Sequence, residues 1–119
     1  MITHLNKDNK PRMVDVSNKK ITSRTAIAQA EIKFNKLIFN KIENMKTKKG
    51  EITNIAILAG IMGAKKTSDI IPLCHNIKID KIDIDIQTNK KKYSILVIAN
   101  VKTLEKTGVE MEALTAVSV

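Results

Sequence analysis

Three polar clusters interrupt otherwise apolar stretches of this chain, and each holds residue types that can transfer protons or bind phosphate. The residues of interest are Lys49 in the first cluster, Lys65, Cys74 and His75 in the second, and Glu110, Met111 and Glu112 in the third. Lysines attract phosphorylated molecules, whereas an imidazole and paired carboxylates exchange protons with a substrate. Cations that face two carboxylates would therefore suit acid–base chemistry on a phosphorylated compound.

Each residue of interest in the first two clusters also has a purely structural interpretation. Lys49 lies in a lysine-rich stretch that is typical of a solvated loop. Lys65 ends an apolar segment, where a cation favours the negative end of a helix dipole. Cys74 is typical of a small buried residue, and a single histidine such as His75 commonly makes a structural hydrogen bond. Residue type alone leaves both interpretations open.

The two glutamates carry more information because their spacing depends on secondary structure. Thr107 and Glu110 fit the capping box of a helix amino terminus, which is the structural alternative. If the segment is extended through Glu112, both carboxylates point to one face and Met111 points to the other. In a regular helix Glu110 and Glu112 would diverge by about 200 degrees and could not share a site.

Composition excludes few classes of protein. The 119 residues include 21 Lys and Arg against 12 Asp and Glu, a formal net charge of +9. Such an excess attracts nucleic acid, phosphorylated metabolites or acidic membrane. Because much of it lies in short lysine runs at residues 46–49 and 90–92, which are typical of solvated loops, the charge alone does not select among these partners.

The cysteine content and the hydropathy pattern predict a soluble, cytoplasmic protein. Cys74 is the only cysteine, so no intramolecular disulfide can form and secretion gains no support. The start of the chain has no apolar stretch long enough for a signal peptide, and no run approaches the roughly 18 apolar residues of a membrane span. Cys74 and His75 also lack the spacing of a zinc site, which needs further ligands.

The hydrophobic pattern predicts an α+β domain with an antiparallel sheet and helices on one face. For residues 24–34 the alternation of alanines favours a strand over the helix that alanine propensity would suggest. The predicted elements are strands at 13–17, 24–34, 77–88 and 93–103, a helix capped by Asn35 over Ile38, Ile42 and Met45, a helix at 52–64, a turn capped by Thr67 or Ser68, and a helix from Glu112 onward.

Two of these elements carry further expectations. The helix at residues 52–64 is apolar nearly all round, so we expect it to be buried on most sides, inside the subunit or against a partner. The aromatic content of 3% predicts an aliphatic core, and oligomerisation would compensate for its modest size. The last helix ends at Val119 without a cap, which is typical of a shortened chain.

The polar clusters, in this order, resemble the cyclic pyranopterin monophosphate synthase family. The matching stretches are MVDVSNK with Arg24, then KGEI, AGIMGAKKTSDIIPLCHNI and KTGVEMEALTA, which together span nearly the whole chain from Met13 to Val119. The last two stretches are long and unusual in composition, so the resemblance is specific.

The resemblance implies lyase chemistry in molybdenum cofactor biosynthesis. Members convert 3′,8-cyclo-7,8-dihydro-GTP to cyclic pyranopterin monophosphate and release pyrophosphate, with no metal or organic cofactor. It further implies a ferredoxin-like fold assembled as a hexamer of three dimers, with active sites at subunit interfaces, and no nucleic-acid or membrane partner. The polar composition of residues 1–12 predicts a flexible segment, and the resemblance implies one synthase domain at residues 13–119 that lacks the family's last helix end and final strand.

The resemblance also implies roles for individual residues. Those matching family cations that neutralise the triphosphate and assist proton transfer are Arg24, Lys49 and Lys65. Those matching substrate-binding stretches are Leu73, Cys74, His75, Met111 and Glu112, with Glu110 beside them. His75 and the two glutamates would exchange protons during ring opening and closure, and the cations would stabilise the charge of departing pyrophosphate.

One departure from the family pattern matters for activity. In the family the helix that begins near EALTA continues into a YDMCK-like segment that holds a catalytic aspartate and a catalytic lysine, followed by a final strand. This sequence ends before both, which predicts at most weak synthase activity.

Two alternatives compete with an active synthase. One is an inactive remnant of the same enzyme, which the departure at the carboxyl end would explain. The other is a small basic nucleic-acid-binding protein, which the charge of +9 would favour. With two Phe, one Tyr and no Trp, the chain lacks the residues of an aromatic stacking platform.

Overall fold

The computed structural model describes residues 10–11, 13–44, 46–47, 50–72 and 74–119. In chain order the elements are β1 (Thr22–Lys33), α1 (Lys36–Glu43), β2 (Lys46–Thr47), β3 (Gly50–Glu51), α2 (Ile52–Lys65), α3 (Thr67–Ile70), β4 (Lys81–Asn89), β5 (Ser94–Glu105) and α4 (Glu110–Ser118). The predicted flexible segment at residues 1–12 and the predicted helical position Met45 fall largely or wholly outside the described residues.

Three long strands form one antiparallel sheet in the order β1-β5-β4. Ala28 pairs with Ala99, and Ala99 pairs with Ile84, so three small or branched side chains cross the sheet side by side. Helices α2 and α4 pack against the sheet and against each other. The succession β1-α2-β4-β5-α4, with β5 in the centre, confirms the predicted ferredoxin-like α+β fold with helices on one face.

The core between the sheet and the helices is aliphatic, as the composition predicts. Val101, Val109 and Ala113 form one buried cluster, and Ala64, Ala99 and Ala116 form another. Small residues allow α2 and α4 to approach closely. A Cβ atom on Gly60 would lie 3.1 Å from the carbonyl oxygen of Ala116 and 3.3 Å from Ile84 Cδ1.

Local capping explains where several elements begin and end. The Asn35 side chain accepts a hydrogen bond from Ile38 N at 2.8 Å, which confirms the predicted cap of α1. Between β4 and β5, the Asn89 side chain accepts from the backbone N–H groups of Lys91 and Lys92, and Tyr93 adopts a φ of 52°. This turn lies slightly later than the predicted one at residues 87–91.

Three predictions about local structure are wrong. Residues 13–17 form no strand, because Ser17 N donates to the Asp15 carboxylate at 2.9 Å and closes a turn. Thr67 does not cap α3, since its hydroxyl donates back to the carbonyl oxygens of Gly63 and Ala64. The last helix begins at Glu110 instead of Glu112, with Val109 as its N-cap residue and no side-chain capping bond, so the Thr107–Glu110 capping box is also absent.

Helix α2 is less buried than its apolar sequence predicts. Within the protomer its buried residues are Gly60, Gly63 and Ala64, whereas Leu58 and Met62 are 62% and 64% exposed. The expectation of burial on most sides inside the subunit is therefore wrong, because one stripe of small residues packs against α4 and the sheet, whereas no described residue covers Leu58 and Met62 on the other side. Burial against a partner stays a prediction.

We expect Gly60→Val to lower the free energy of unfolding by about 1–3 kcal/mol, because its side chain would force α2 away from Ala116. Ala56→Val is the matched control, since Ala56 is exposed on the same helix and reports only the propensity of a branched residue. Urea unfolding of both variants measures the difference. Equal stability of the two would contradict the close helix contact.

Candidate active site

A small cleft of about 110 Å³ lies between the segment that follows α3 and the loop that leads into α4. Its lining residues are Cys74, His75, Thr107, Gly108, Glu110, Met111 and Glu112. All seven come from the second and third polar clusters of the sequence. The fold therefore brings together groups that are more than 30 positions apart in the chain, and whether they act on a substrate stays a prediction.

Contacts at the carboxyl end of β5 hold the two sides of the cleft together. The Thr103 hydroxyl donates to the carbonyl oxygen of Lys78, and Asp80 N donates to the carbonyl oxygen of Lys102 at 3.0 Å. Leu104 N in turn donates to the Asp80 carboxylate at 2.9 Å. These bonds tie the segment after His75 to the strand that leads into the 106–109 loop.

His75 contacts the amino-terminal part of the chain. Its Nε2 atom lies 2.8 Å from the carbonyl oxygen of Val14. Because a carbonyl oxygen only accepts hydrogen bonds, Nε2 must carry the proton. In the neutral ring, Nδ1 is then the nitrogen that can accept a proton.

Glu112 lies in the first turn of α4 and is only 5% exposed. Burial raises the pKa of its carboxyl group above the ordinary glutamate value, and the negative charge of Glu110 raises it further, whereas a hydrogen bond from its own backbone lowers it. Glu112 therefore keeps its proton to higher pH than an exposed glutamate, which suits a proton donor.

Glu110 reaches the cleft in spite of the helical geometry. The segment is helical from Glu110, so the expected divergence of the two glutamates applies, yet both line the cleft. The Glu110 carboxylate folds back over Gly108, where a Cβ atom would overlap Oε2. The prediction that a helix would keep the carboxylates from sharing a site is wrong, because the first side chain of the helix turns back toward the loop.

Cys74 and Met111 complete the wall of the cleft. Partial burial raises the pKa of the Cys74 thiol, and the negative charge of Glu112 raises it further. The thiol is therefore protonated at neutral pH and is a poor nucleophile. Met111 is 43% exposed and adds an apolar surface beside the acidic groups.

Two predicted site residues lie outside the lining of the cleft. Arg24 on β1 donates from Nη2 to the carbonyl oxygen of Lys106 at 3.2 Å, while its buried Nε has no hydrogen-bond partner among the described residues. Arg24 therefore holds the loop that carries Thr107 and Gly108. Lys65 is exposed at the end of α2. Lys49 and Leu73 lie outside the described residues.

Comparison with known proteins assigns the chain to a family, since the MoaC family model matches residues 13–119. The chain belongs to the MoaC family. A cyclic pyranopterin monophosphate synthase of Helicobacter pylori (strain Shi470) is 51% identical over 118 residues, covering 99% of this chain and 75% of the relative. The synthase of Helicobacter hepaticus (strain ATCC 51449 / 3B1) is 53% identical over 118 residues, covering 99% of this chain and 74% of the relative. That of Peptoclostridium acidaminophilum is 50% identical over 117 residues, covering 98% and 73%.

In this MoaC-family chain, sequence reasoning missed two groups that shape the cleft. Val14 contributes a backbone carbonyl, which no residue-type motif reveals. Gly108 provides the space for the Glu110 carboxylate. A signal for Gly108 was present in the sequence, because a glycine two positions before an acidic residue leaves space that a Cβ atom would fill.

The described part of the MoaC-family chain has neither a cluster of metal ligands nor a membrane-spanning helix. Among the described residues, no three His, Cys, Asp or Glu side chains are grouped as metal ligands would be. Within the same part of the chain, the helices are too short or too polar to cross a bilayer.

Proposed function

We propose that the chain is a cyclic pyranopterin monophosphate synthase. It converts 3′,8-cyclo-7,8-dihydro-GTP to cyclic pyranopterin monophosphate and releases pyrophosphate, as a cytoplasmic step of molybdenum cofactor biosynthesis. The relatives that carry this name are 50–53% identical to the chain over the aligned region, which covers 98–99% of the chain. The observation that carries the proposal is the cleft in which His75, Glu110 and Glu112 meet.

The cleft offers a proton acceptor and a proton donor side by side. Nδ1 of His75 is free to take a proton from an O–H or N–H group of the substrate, because Nε2 is engaged by Val14. Glu112 supplies a proton, since burial raises its pKa. Opening one ring and closing another needs both functions, and a single pair can serve each step in turn.

Release of pyrophosphate needs positive charge as well. When a substrate hydroxyl attacks the innermost phosphorus, it loses its proton to a base and the bond to the outer two phosphates breaks. Lysine or arginine side chains stabilise the negative charge that moves onto the leaving group. In this proposal Lys49 and Lys65 carry that role, while Arg24 acts at least in part by holding the 106–109 loop.

One protomer alone offers too little space for this substrate. Ligand pockets usually measure about 300–1,000 Å³, whereas the cleft measures about 110 Å³. Apolar side chains on the outer faces of α2 and α4 are exposed: Leu58, Met62, Met111 and Leu114. We therefore propose that copies of the chain assemble through these faces, as a hexamer of three dimers, and that a neighbouring copy completes each site with its lysines.

We expect Met62→Glu to reduce the mass of the assembly in solution to that of a smaller species, because a buried carboxylate is costly at an apolar interface. Ala56→Glu is the control, as Ala56 is exposed on another face of α2. Light scattering coupled to size exclusion gives the masses. An unsubstituted protein that is already monomeric would contradict the proposed assembly.

Incubation of the purified protein with 3′,8-cyclo-7,8-dihydro-GTP tests the activity directly. We expect one pyrophosphate for each cyclic pyranopterin monophosphate formed, and none from GTP as the control substrate. Single-turnover conditions with excess protein resolve even slow turnover. Complete absence of pyrophosphate would favour the inactive remnant.

The nucleic-acid-binding alternative gains no support from the described residues. Phe39 is 1% exposed and its ring packs 5.9 Å from that of Tyr93, so neither ring forms an open stacking platform.

A further inference from the structure

The segment at residues 13–16, here called the strap, crosses from the amino-terminal part of the chain to the cleft. Val14 and Val16 are half-buried, whereas Met13 and Asp15 are exposed. The strap ends in a turn in which Lys19 N donates to the carbonyl oxygen of Val16 at 3.0 Å. It is therefore held at both ends, by this turn and by the contact between Val14 and His75.

The strap contacts the one imidazole that lines the cleft. The hydrogen bond between His75 Nε2 and the Val14 carbonyl is 2.8 Å long and joins residues 61 positions apart. A bond of this length fixes the orientation of the ring as well as the position of its proton. Without it, the ring would be free to place either nitrogen toward the cleft.

Charges surround His75 on both sides. On the strap side lies Asp15, whose pKa is below the ordinary value, mainly because Ser17 donates backbone and side-chain hydrogen bonds to it, and to a smaller extent because of the charge of His75. On the cleft side lie Glu110 and Glu112. His75 thus lies between Asp15 of the strap and the two acidic side chains of the cleft.

We propose that the strap belongs to the active site as a positioning element, in which the Val14 carbonyl holds His75 as the Nε2-protonated tautomer and makes Nδ1 the proton acceptor for a hydroxyl or amide group of the ligand. The inference rests on the proposed function for the identity of that ligand. The tautomer itself is a property of the free protein and can be measured without any substrate.

Nitrogen-15 spectroscopy of the imidazole groups tests the proposal. The chain has only two histidines, so a His4→Gln variant leaves His75 as the single imidazole. Above the pH at which the ring loses its charge, we expect one tautomer with Nε2 protonated and Nδ1 bare, and slow exchange of the Nε2 proton with water. A ring protonated at Nδ1, or a rapidly exchanging Nε2 proton, would overturn the proposal.

Two shortened variants separate the strap from the residues before it. A variant that begins at Met13 keeps the Val14 carbonyl and is the control, whereas one with an initiator methionine directly before Ser17 lacks it. We expect the second variant to show a mixture of tautomers and a kcat lower by about tenfold, the effect of one lost hydrogen bond, with KM changed less than about twofold. Identical tautomers in the two variants would overturn the role of the strap, whatever their activity.

The measurements distinguish failure of this inference from failure of the proposed function. If the unsubstituted protein releases no pyrophosphate, the measured tautomer of His75 still shows whether the Val14 carbonyl positions the ring. If the variant that lacks the strap does not fold, the tautomer and proton exchange in the His4→Gln protein decide it. A fixed Nε2 proton together with an inactive enzyme would support the strap and contradict the proposed activity.

Discussion

Replacing His75 by Gln will lower the single-turnover rate of pyrophosphate release by about a hundredfold to ten-thousandfold, the usual contribution of a positioned general base. The amide nitrogen of Gln lies near the position of Nε2 and still offers a donor for the Val14 carbonyl, but it does not accept a proton at neutral pH. The fold should persist because the substitution keeps this hydrogen bond. Rapid-quench measurement with excess protein gives the rate.

His4→Gln is the control for the loss of an imidazole, since it removes the other histidine of the chain. It should leave the rate unchanged. An equal loss in both variants, or a His75→Gln rate within threefold of the unsubstituted protein, would contradict a proton-transfer role for His75.

Replacing Glu112 by Gln is expected to lower the same rate by about a hundredfold or more, because Gln cannot deliver a proton. The substitution should also raise the free energy of unfolding at neutral pH by about 1 kcal/mol, since it removes the cost of ionising a buried carboxyl group. Loss of activity with a gain of stability is typical of a functional residue.

The pH dependence of stability follows from the same raised pKa. At pH values between the ordinary glutamate pKa of about 4 and the higher pKa of Glu112 in the folded protein, the folded state binds more protons than the unfolded chain. The contribution of Glu112 to stability is therefore full below the unfolded pKa and is lost as the pH rises through the folded pKa. In the Glu112→Gln variant, residue 112 does not titrate, so the free energy of unfolding should lack this decline with rising pH.

Glu110→Gln is the matched control for stability, because Glu110 is exposed. Urea unfolding from pH 4 upward should show that Glu110→Gln changes the free energy of unfolding, relative to the unsubstituted protein, by less than Glu112→Gln does. If Glu112→Gln is less stable than the unsubstituted protein at neutral pH, the carboxylate makes a favourable contact that the structure does not account for.

Much of the fold could be predicted from local sequence patterns. The alternation of Ile82, Ile84 and Ile86 with polar residues predicted β4, and the alternating alanines of β1 outweighed their helical propensity because the sheet buries one face. The capping propensity of Asn35 predicted the start of α1, and its side chain caps that helix. These features depend on residues that are close together in the chain, so a single sequence contains the information.

The predictions that are wrong concern features that depend on contacts between residues far apart in the sequence. Residues 13–17 alternate like a strand, but no strand of the described part of the chain pairs with them. The Asp15 carboxylate closes a turn and Val14 contacts His75 instead. The burial of α2 was overestimated because the sequence pattern does not say which partners are available. The shared cleft of Glu110 and Glu112 depends on one side-chain rotamer at a helix start, which periodicity cannot specify.

The most direct test is a crystal structure of the Glu112→Gln variant with 3′,8-cyclo-7,8-dihydro-GTP. We predict the fused ring system in the cleft, with a donor group about 2.6–3.2 Å from His75 Nδ1, and the triphosphate against lysines of a neighbouring copy. A ligand bound elsewhere, such as in the groove of about 350 Å³ beside Ile42, Glu51 and Lys90, would contradict the assignment of the active site.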